Sequence, residues 1–556
     1  MSIEGKINQE VYDLLLEDRF AGQELTQRDK ELLELEVRLN ERIDRGLLEN
    51  PQRIPKAVFF IIPNEFGERF CFYGIRPLLI NFFKSFCGKD PEAAKINFHI
   101  FELVSYFSPL LGAALSDSFL GKYRTIVSLS VLYFIGTLLF AIFTIPGILG
   151  IPPNIPIAGP LGALMLIAIG TGGIKPCVST HGGDQYLPHQ KDGIDWFFSI
   201  FYTSINVGAI ISGNLTPAIR KNVQCFGEYD CYFYGTLICS IMFALVTAVF
   251  IFGVRYYRIV PPVGEFLPWK CLKVAVTAGA RYLSASSEER KRKKSWLDFA
   301  EEDYGAPFVE ETRLFGRVIY MVLPMMFFWM IYDQTASEWQ NQYALMDDRI
   351  GSIQLSSDQF QQINSFLIVF MVPALGCLYP IIERRLKIRC TPLRRMGLGF
   401  FLVIVAFVIS GLLQISVEKN AKPTKYDLAG NVEECHNGCV HSWWTVPQWV
   451  IVSLGEALAS PTGLLFCYEE SGKALKAQSS SMWLLMVSFG NMIITAVDGA
   501  LAVSVSGPTK YFIYSGMGLA FNIWFVVQAY FYKTKAQIEQ ERANGESKHV
   551  EGKYED

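Results

Sequence analysis

Charged residues lie inside the first long apolar stretch of this chain, where a membrane helix normally carries none. At about 100° per residue, one face of the helix predicted there carries Glu65, Glu68, Arg69, Tyr73 and Arg76. A charge at the centre of a bilayer costs about 2.5–3.5 kcal/mol, so this face should border water or partner charges. Acids beside bases can carry protons and hold a charged solute. An interhelical ion-pair network with no function beyond packing is the alternative.

A few further ionisable residues interrupt other apolar segments. Such groups need a partner or water, and they mark functional sites by default. An acid and a base on different helices can also act as a gate, because protonating the acid releases the base. Lys175 and Glu456 lie in opposite halves of the chain, as such a gate requires. The residues of this set are His99, Glu102, Lys175, Asp333, Glu338 and Glu456.

Uncharged side chains in the apolar segments extend this set. Asn206 and Asn364 are amides near the middle of segments in opposite halves, so they can bind either a ligand or a neighbouring helix. Aromatic and phenolic side chains can line pockets, although anchoring at the membrane interface is their common role. The candidates of this second kind are Tyr106, Tyr202, Trp329 and Trp483.

Apolar helices must position these residues. Of 556 residues, 51% are hydrophobic and 19% are charged, and the apolar ones form blocks of about twenty, which is the length that spans a bilayer. The sequence therefore predicts an all-α membrane protein with twelve transmembrane helices. The predicted spans are 57–83, 96–117, 123–146, 158–180, 196–217, 232–253, 315–336, 360–382, 396–416, 444–468, 480–503 and 510–532.

The longest break between spans, residues 254–314, divides them into two six-helix bundles at residues 56–253 and 315–532. Basic residues concentrate in the loops after even-numbered spans, and such loops face the cytosol. The linker is therefore predicted to be cytosolic, as are the two tails at residues 1–55 and 533–556.

The remaining composition narrows the class of protein. A net charge of −3 argues against a nucleic-acid partner. The first fifty residues are charged rather than apolar, so we expect no cleavable signal peptide and targeting by the first span. The linker segment at residues 266–282 predicts a surface helix.

Cysteine positions suggest one bridge and no metal site. Cys225 and Cys231 flank a predicted outer loop, where a disulfide and two free thiols are equally compatible with the sequence. A second outer loop contains Cys435, His436, Cys439 and His441, but their spacing matches neither a zinc finger nor a haem attachment site. No metal is expected there.

A local motif adds to the two-bundle plan. Residues 112–124 follow the pattern G-x4-D-x3-G-[KR]-x-[KR] between spans two and three. Glycines in this pattern allow a close helix approach and a tight turn, while Asp117 and the bases pin the loop to a neighbouring helix. Two six-helix bundles with this loop resemble the major facilitator superfamily.

Three longer motifs resemble one family within it. Residues 65–73 (EFGERFCFY) resemble the E-x-x-E-R-F-x-[FY]-Y motif of the proton-dependent oligopeptide transporter family. Residues 170–185 and 197–208 resemble its fourth-span and fifth-span signatures, in the expected order. Within that family, the chain resembles the animal intestinal and renal peptide transporters. The chain departs from them at Glu338, where relatives often carry a neutral or basic residue.

The resemblance implies roles for the matched residues. The carboxylate end of a peptide would bind Arg69, Tyr73, Arg76 and Lys175, and its amino end would bind Glu456, Asn206 and Asn364. Protons would be carried by Glu65, Glu68, His99 and Asp333. Arg76 and His99 near Asp333 would form an outer gate, Lys175 and Glu456 would form an inner one, and Tyr106, Tyr202, Trp329 and Trp483 would complete the binding site.

The implied activity is proton-coupled symport of di- and tripeptides by alternating access. It needs the lipid bilayer and a proton gradient, no cofactor and no enzymatic step, and a monomer should suffice. Another solute, such as nitrate, histidine or a peptide-like metabolite, and a peptide-sensing receptor are the alternatives. The intact Glu-x-x-Glu-Arg cluster favours peptides over nitrate. The expected location is the plasma membrane, with a vacuolar or lysosomal membrane as the alternative.

Overall fold

A computed structural model describes residues 54–538, apart from 151–155, 187–190, 228–229, 263, 294, 351–352, 355, 388, 422, 427–431, 436–438, 473–474, 502–506 and 536. Over this part of the chain the protein is almost entirely helical. Two short antiparallel hairpins are the exceptions. They pair β1 (Arg349–Ile350) with β2 (Ile353–Gln354), and β3 (Pro423–Tyr426) with β4 (Val432–Cys435).

The first half of the chain forms one bundle of long helices. Proline shapes the first of them: because Pro77 has no N–H, the α-helical ladder changes to a 3-10 turn at Arg76–Leu78. The helix continues through Leu79–Asn81 to a π-turn at Phe82–Phe86. The long helices are α1 (Val58–Ile75), α2 (Pro91–Leu115), α3 (Lys122–Phe143), α4 (Ala158–Gly183), α5 (Lys191–Asn222) and α6 (Tyr232–Phe252).

The second half repeats this arrangement after a linker helix. Pro324 separates α8 from α9, and the segment is bent by 44° there, as expected where proline removes a helix hydrogen bond. The helices are α7 (Leu267–Ser284) in the linker, then α8 (Ala306–Val322), α9 (Met325–Tyr332), α10 (Glu338–Ala344), α11 (Gln362–Leu386), α12 (Pro392–Asn420), α13 (Val446–Glu470), α14 (Lys476–Leu501) and α15 (Gly507–Phe531).

Each half has its own hydrophobic core. The first core is built from α1 to α6 and the second from α8 to α15. Between the halves, α2 packs against α14, and α5 packs against α11. The site described below lies along these two contacts.

Small residues allow the helices of each bundle to approach closely. A Cβ on Gly112 of α2 would lie 2.5 Å from the Cα of Gly173 on α4, which no larger residue tolerates. Gly121 has a φ of +74° at the turn into α3, a conformation that glycine adopts without strain. Lys122 then pairs with Asp184 at 2.6 Å. The predicted close approach and tight turn are present, and the side chain of Asp117 lies outside the described residues.

The helices match a membrane protein in length and polarity. Within the described ranges, nine helices are long and apolar enough to span a membrane, and the bent pair Ala306–Val322 and Met325–Ala344 makes a tenth. Helices α1 and α5 complete the twelve predicted spans, and both carry charged residues. In α1, the charges of Glu65, Glu68 and Arg69 explain why hydropathy alone passes over this helix.

The linker contains the predicted surface helix, here α7. Its residues Val274 and Ala278 pack against Leu297, Ala300 and Val309. Helix α8 begins at Ala306, so its first turns belong to the segment that the sequence assigned to the linker. The predicted domain limits otherwise remain a proposal.

Candidate functional site

A cavity of about 390 Å³ lies between the two bundles. Small-molecule sites commonly occupy about 300–1,000 Å³. The first bundle forms one side of this cavity, which we call the first wall. The second bundle forms the opposite side, which we call the second wall. Nine residues singled out in the sequence line it, namely Tyr73, Arg76, Tyr106, Asn206, Trp329, Asp333, Asn364, Glu456 and Trp483.

A compact ion cluster on α1 lies behind the first wall. The Nε of Arg69 is 2.8 Å from Oε1 of Glu65 and 2.7 Å from Oε2 of Glu68. The Thr171 hydroxyl on α4 donates to the other oxygen of Glu68. All three charged side chains are buried. One guanidinium thus faces two carboxylates, so a proton on either carboxylate would balance the charge of the cluster.

Arg76 carries positive charge to the edge of the cavity. Its Nε donates to Oε1 of Glu102 on α2, 2.7 Å away. A guanidinium has five N–H donors, so an arginine bound through Nε can still present its two terminal nitrogens to a carboxylate. The position of Arg76 follows from the proline turn that begins beside it.

Lys175 of α4 is held by aromatic rings. Its Nζ lies 4.6 Å from the ring centre of Phe72 and 4.2 Å from that of Tyr106. A ring face attracts a cation without neutralising it. Within the described residues Lys175 forms no ion pair, so its charge remains available.

On the second wall, Glu456 is held by neutral donors. Its Oε2 accepts from the Tyr332 hydroxyl at 2.6 Å and from Nδ2 of Asn364 at 2.8 Å. The Ser453 hydroxyl donates to Oδ1 of Asn364. This hydrogen bond sets the orientation of the amide, so its NH₂ group points at Glu456. Among the residues that the structure describes, the carboxylate is therefore positioned without a basic partner.

A hydrogen-bond chain joins His99 of the first bundle to Asp333 of the second. The Nδ1 of His99 is 2.7 Å from Oδ1 of Asn491, whose Nδ2 donates to Asp333 at 2.6 Å. The Nε2 of His99 is 2.8 Å from the Ser337 hydroxyl. Because Asn491 faces His99 with its oxygen, this network assigns the proton to Nδ1 in the neutral imidazole.

Aromatic residues close one side of the cavity. The rings of Trp329 and Trp483 meet edge to face with centres 5.9 Å apart, and Trp329 meets Tyr332 at 5.4 Å. The indole N–H of Trp329 is buried and has no hydrogen-bond partner among the described residues. It could therefore donate to a ligand carbonyl, since an unpaired buried donor is costly.

Neither gate predicted from the sequence is formed as a direct pair. Arg76 bonds Glu102 instead of Asp333, and Asn491 stands between His99 and Asp333. Lys175 lies on aromatic rings while Glu456 bonds neutral groups. The reason is local: each charge has a nearer partner on its own side of the cavity. The side chain of Tyr202 lies outside the described residues.

Polar contacts join the bundles beyond the cavity. We call this the outer end, where α2, α6 and α15 begin. There the Nε of Arg220 on α5 bonds Asp358 at 2.8 Å, just before α11. Further contacts join Asn81 to Ser357, Lys84 to Asn341 and Gln340 to the carbonyl oxygen of Pro77.

Several residues of the site were not given roles from the sequence. Glu102, Tyr332, Ser453 and Asn491 are partners of predicted residues. Glu102 stood out in the sequence as a charged group in an apolar segment, and Tyr332 is likewise a polar group in such a segment. Asn491 had the same signal as Asn206 and Asn364, an amide in the middle of a span. Ser453 had none, because serine is common in such helices.

The structure describes some of the cysteines in the two predicted outer loops. Cys225 and Cys231 form a disulfide with Cα atoms 5.3 Å apart. His436 lies outside the described residues, as does the side chain of Cys435. Across the described ranges, no group of three or more potential ligands could hold a metal ion.

The sequence and fold of this chain can be compared with those of known proteins. A model of the POT family, named PTR2, matches residues 123–511. The chain belongs to the POT family. The family membership predicted from the motifs is thereby confirmed, and the POT family is a family of transporters.

Two relatives show how much of this chain is similar to other proteins. The chain is 37% identical over 377 residues to solute carrier family 15 member 1 of Rattus norvegicus, and the match covers 66% of this chain and 52% of that protein. It is 37% identical over 375 residues to peptide transporter family 1 of Drosophila melanogaster, covering 67% and 49%. This chain thus spans about half the length of the curated relatives it matches.

Solved structures confirm the fold. The in meso crystal structure of the POT family transporter PepTSo matches this chain with a TM-score of 0.70 and 25% identity. The match covers 86% of this chain and 98% of PepTSo. Another proton-dependent oligopeptide family transporter gives 0.64, at 25% identity and 84% and 99% coverage. The predicted fold is confirmed: this is an integral membrane protein that crosses the bilayer many times.

Proposed function

We propose that this protein couples proton influx to the uptake of di- and tripeptides by alternating access. The observation that carries the proposal is the cavity between the bundles, with Arg76 on one wall and Glu456 on the other. A small zwitterion would satisfy both charges at once. The relative from Drosophila melanogaster that is named a peptide transporter supports this class of substrate.

Recognition of the two ends would leave the peptide side chains free to vary. The terminal nitrogens of Arg76, with Tyr73, Lys175 and the more deeply placed Arg69, would hold the carboxylate. Charge-assisted bonds to planar carboxylates are strong and directional. Glu456 would hold the ammonium group, with Asn206 and Asn364 beside it. Selectivity for ends rather than for side chains suits a carrier of many peptides.

Side chains of the peptide would contact the aromatic part of the cavity. Tyr106 and the Trp329–Trp483 pair supply flat apolar surfaces. The cavity volume of about 390 Å³ limits the length of the peptide, so a tetrapeptide should fit poorly. Tyr202 keeps the role that the family resemblance implies.

Proton coupling would rest on carboxylates that lack a base of their own. Glu65 and Glu68 share Arg69, and Asp333 connects to His99 through Asn491. Because Glu65 and Glu68 outnumber the one base that they share, uptake of a single proton would balance the charge of that cluster. Proton release to the cytosol would then restore the negative charge before the next cycle.

The gates would work by partner exchange. In the conformation described here, the outer end is closed by contacts such as Arg220 with Asp358, while Lys175 and Glu456 are separately bonded. On opening to the outside, Lys175 and Glu456 would approach each other, and Arg76 and His99 would part from the Asp333 side. No cofactor enters this cycle, and one chain contains the whole cavity.

The test is counterflow in proteoliposomes. Vesicles containing the purified chain are loaded with unlabelled dipeptide, and entry of labelled dipeptide is measured against protein-free vesicles. A panel of di-, tri- and tetrapeptides, free histidine and nitrate is used as competitor. We expect competition by di- and tripeptides only, and faster uptake with an inward proton gradient.

Other outcomes would replace the proposal. Counterflow of nitrate or histidine without dipeptide would assign another solute to the same fold. Dipeptide binding without any counterflow would indicate a receptor. Location in the plasma membrane, as opposed to a vacuolar or lysosomal one, can be read from a tagged full-length protein by microscopy.

A further inference from the structure

One face of α2 carries polar residues along the boundary between the two bundles. Glu102 bonds Arg76, and His99 bonds Ser337 and Asn491. One turn closer to the outer end, at i−4 from His99, the same face carries Lys95. Lys95 is 1% exposed, although it is a residue that is almost never fully buried without a partner.

Lys95 meets carboxylates of the second bundle. Its Nζ bonds Glu338 of α10 and lies 3.6 Å from Oδ2 of Asp498 on α14. Asp498 is also 1% exposed. One buried ammonium group of the first bundle therefore links two elements of the second.

A third element of the second bundle joins through Glu92. This residue of α2 lies 2.9 Å from Nζ of Lys95 and 2.6 Å from Nζ of Lys510 on α15. Tyr514 of α15 donates to Asp498 at 2.7 Å. We call the five charged residues of this network, Glu92, Lys95, Glu338, Asp498 and Lys510, the outer cluster.

We propose that the outer cluster is a further gate, whose contacts must break each time the outer end opens. The proposal rests on the alternating access proposed above. In the closed form its charges satisfy one another around the buried Lys95, Asp498 and Lys510, with Glu92 and Glu338 partly exposed, and in the open form water would solvate them all. Removing one partner of a buried ion pair is costly, because the other charge is left uncompensated. The cluster therefore sets the balance between the two forms.

The position of the cluster couples it to the proposed proton site. Lys95 and His99 lie on the same face of α2, and Glu338 follows Ser337, which bonds His99. Asp498 lies two turns beyond Asn491 on α14. The two layers share the same helices, so they should separate together.

The test measures the width of the outer end without any peptide. Spin labels replace Tyr234 near the start of α6 and Asn420 at the end of α12, both exposed, in a background without the exposed thiol of Cys377. Electron–electron resonance then gives the ratio of short to long distances in lipid nanodiscs. We expect Lys95→Met to shift this ratio toward long distances by at least about tenfold.

A double-mutant cycle separates pairing from general damage. Lys95→Met with Glu338→Gln removes both partners of one pair, so it should recover much of the shift caused by Lys95→Met alone. The matched control is Lys122→Met, since Lys122 pairs with Asp184 inside the first bundle. It should leave the distances unchanged. If Lys95→Met does not fold, Glu338→Gln and Asp498→Asn, which keep the side-chain shape, carry the measurement.

The outcomes are distinct. No shift in folded Lys95→Met protein, or simple additivity in the double variant, would overturn the gate. A shift with recovery in the double variant supports it. Counterflow of labelled dipeptide by the parent chain is measured in parallel. Its absence, together with the distance shift, would reject peptide transport while leaving the outer cluster as the contact that closes this end.

Discussion

The two walls of the cavity carry their charges in different ways. On the first wall and directly behind it, acids and bases alternate, and Arg76 and the deeper Arg69 bond carboxylates of their own bundle. On the second wall Asp333 and Glu456 accept hydrogen bonds from neutral side chains. The first wall is thus nearly balanced by itself, whereas the second is negative and requires a cation from elsewhere.

This difference suggests a division of labour within the proposed cycle. A peptide ammonium group or a proton would supply the positive charge that the second wall lacks. Balanced charges on the first wall would release their bases only when one of their acids is protonated. The predictions that follow test this contrast, beginning with the largest expected effect.

Neutralising Glu68 should abolish uptake driven by a proton gradient. Glu68→Gln cannot ionise, so it cannot release a proton to the cytosol, whereas exchange of peptide for peptide requires no net proton movement. The measurement is gradient-driven uptake beside counterflow in the same vesicles. Glu265→Gln, in the linker and largely exposed, is the matched control. If gradient-driven uptake were equal in Glu68→Gln and the parent protein, the first wall would have no part in proton coupling.

Removing Glu456 should selectively weaken binding of the free amino terminus. Leaving one charge of a buried pair alone costs on the order of 3–5 kcal/mol, which corresponds to more than about a hundredfold in affinity. Glu456→Ala should therefore weaken free dipeptide strongly and its N-acetylated form little, in competition assays. Glu470→Ala, on the same helix but bonded to Tyr532, should have no such effect. Equal losses for both ligands would contradict the role of the second wall.

Changing His99 should uncouple the two walls, because it links them through Asn491. Histidine normally changes charge between about pH 5 and 8, and His99→Ala should lose most uptake throughout that range. The measurement is the pH profile of dipeptide uptake. His181→Ala, on α4 and in edge-to-face contact with the ring of Tyr257, is the control, since the ring of His99 also meets an aromatic ring edge to face. If the pH profile of uptake in His99→Ala matched that of the parent protein, His99 would have a packing role only.

The smallest effect is expected at the aromatic pair. An edge-to-face aromatic contact contributes about 0.5–1.5 kcal/mol beyond its area, so Trp483→Leu should change affinity by only several-fold. Dipeptides with large apolar side chains should lose more than glycine-containing ones, as measured by competition. Trp444→Leu, at an exposed position, is the control. Uniform loss for all dipeptides would indicate that Trp483 supports the cavity without reading side chains.

Much of the fold followed from the sequence because each span carries its own signal. The apolar blocks predicted α2, α3 and α6 directly, and the linker helix α7 lies where its pattern placed it. Helices α1 and α5 also lie where the apolar blocks placed the first and fifth spans, although charges interrupt α1. The bend at Pro324 needed the structure, since proline indicates a break without giving its angle of 44°.

For the site, the sequence by itself determined which residues are costly to bury, because a charge in an apolar segment is recognisable wherever its partner lies. Nine of the residues singled out in the sequence line one cavity, and three of them, Arg76, Asp333 and Glu456, are charged. Only the tertiary structure decided their partners: Glu102 for Arg76, Asn491 between His99 and Asp333, and Glu338 for Lys95. Pairing depends on distances of a few ångströms between helices that are far apart in the chain, and helix periodicity carries no information about them.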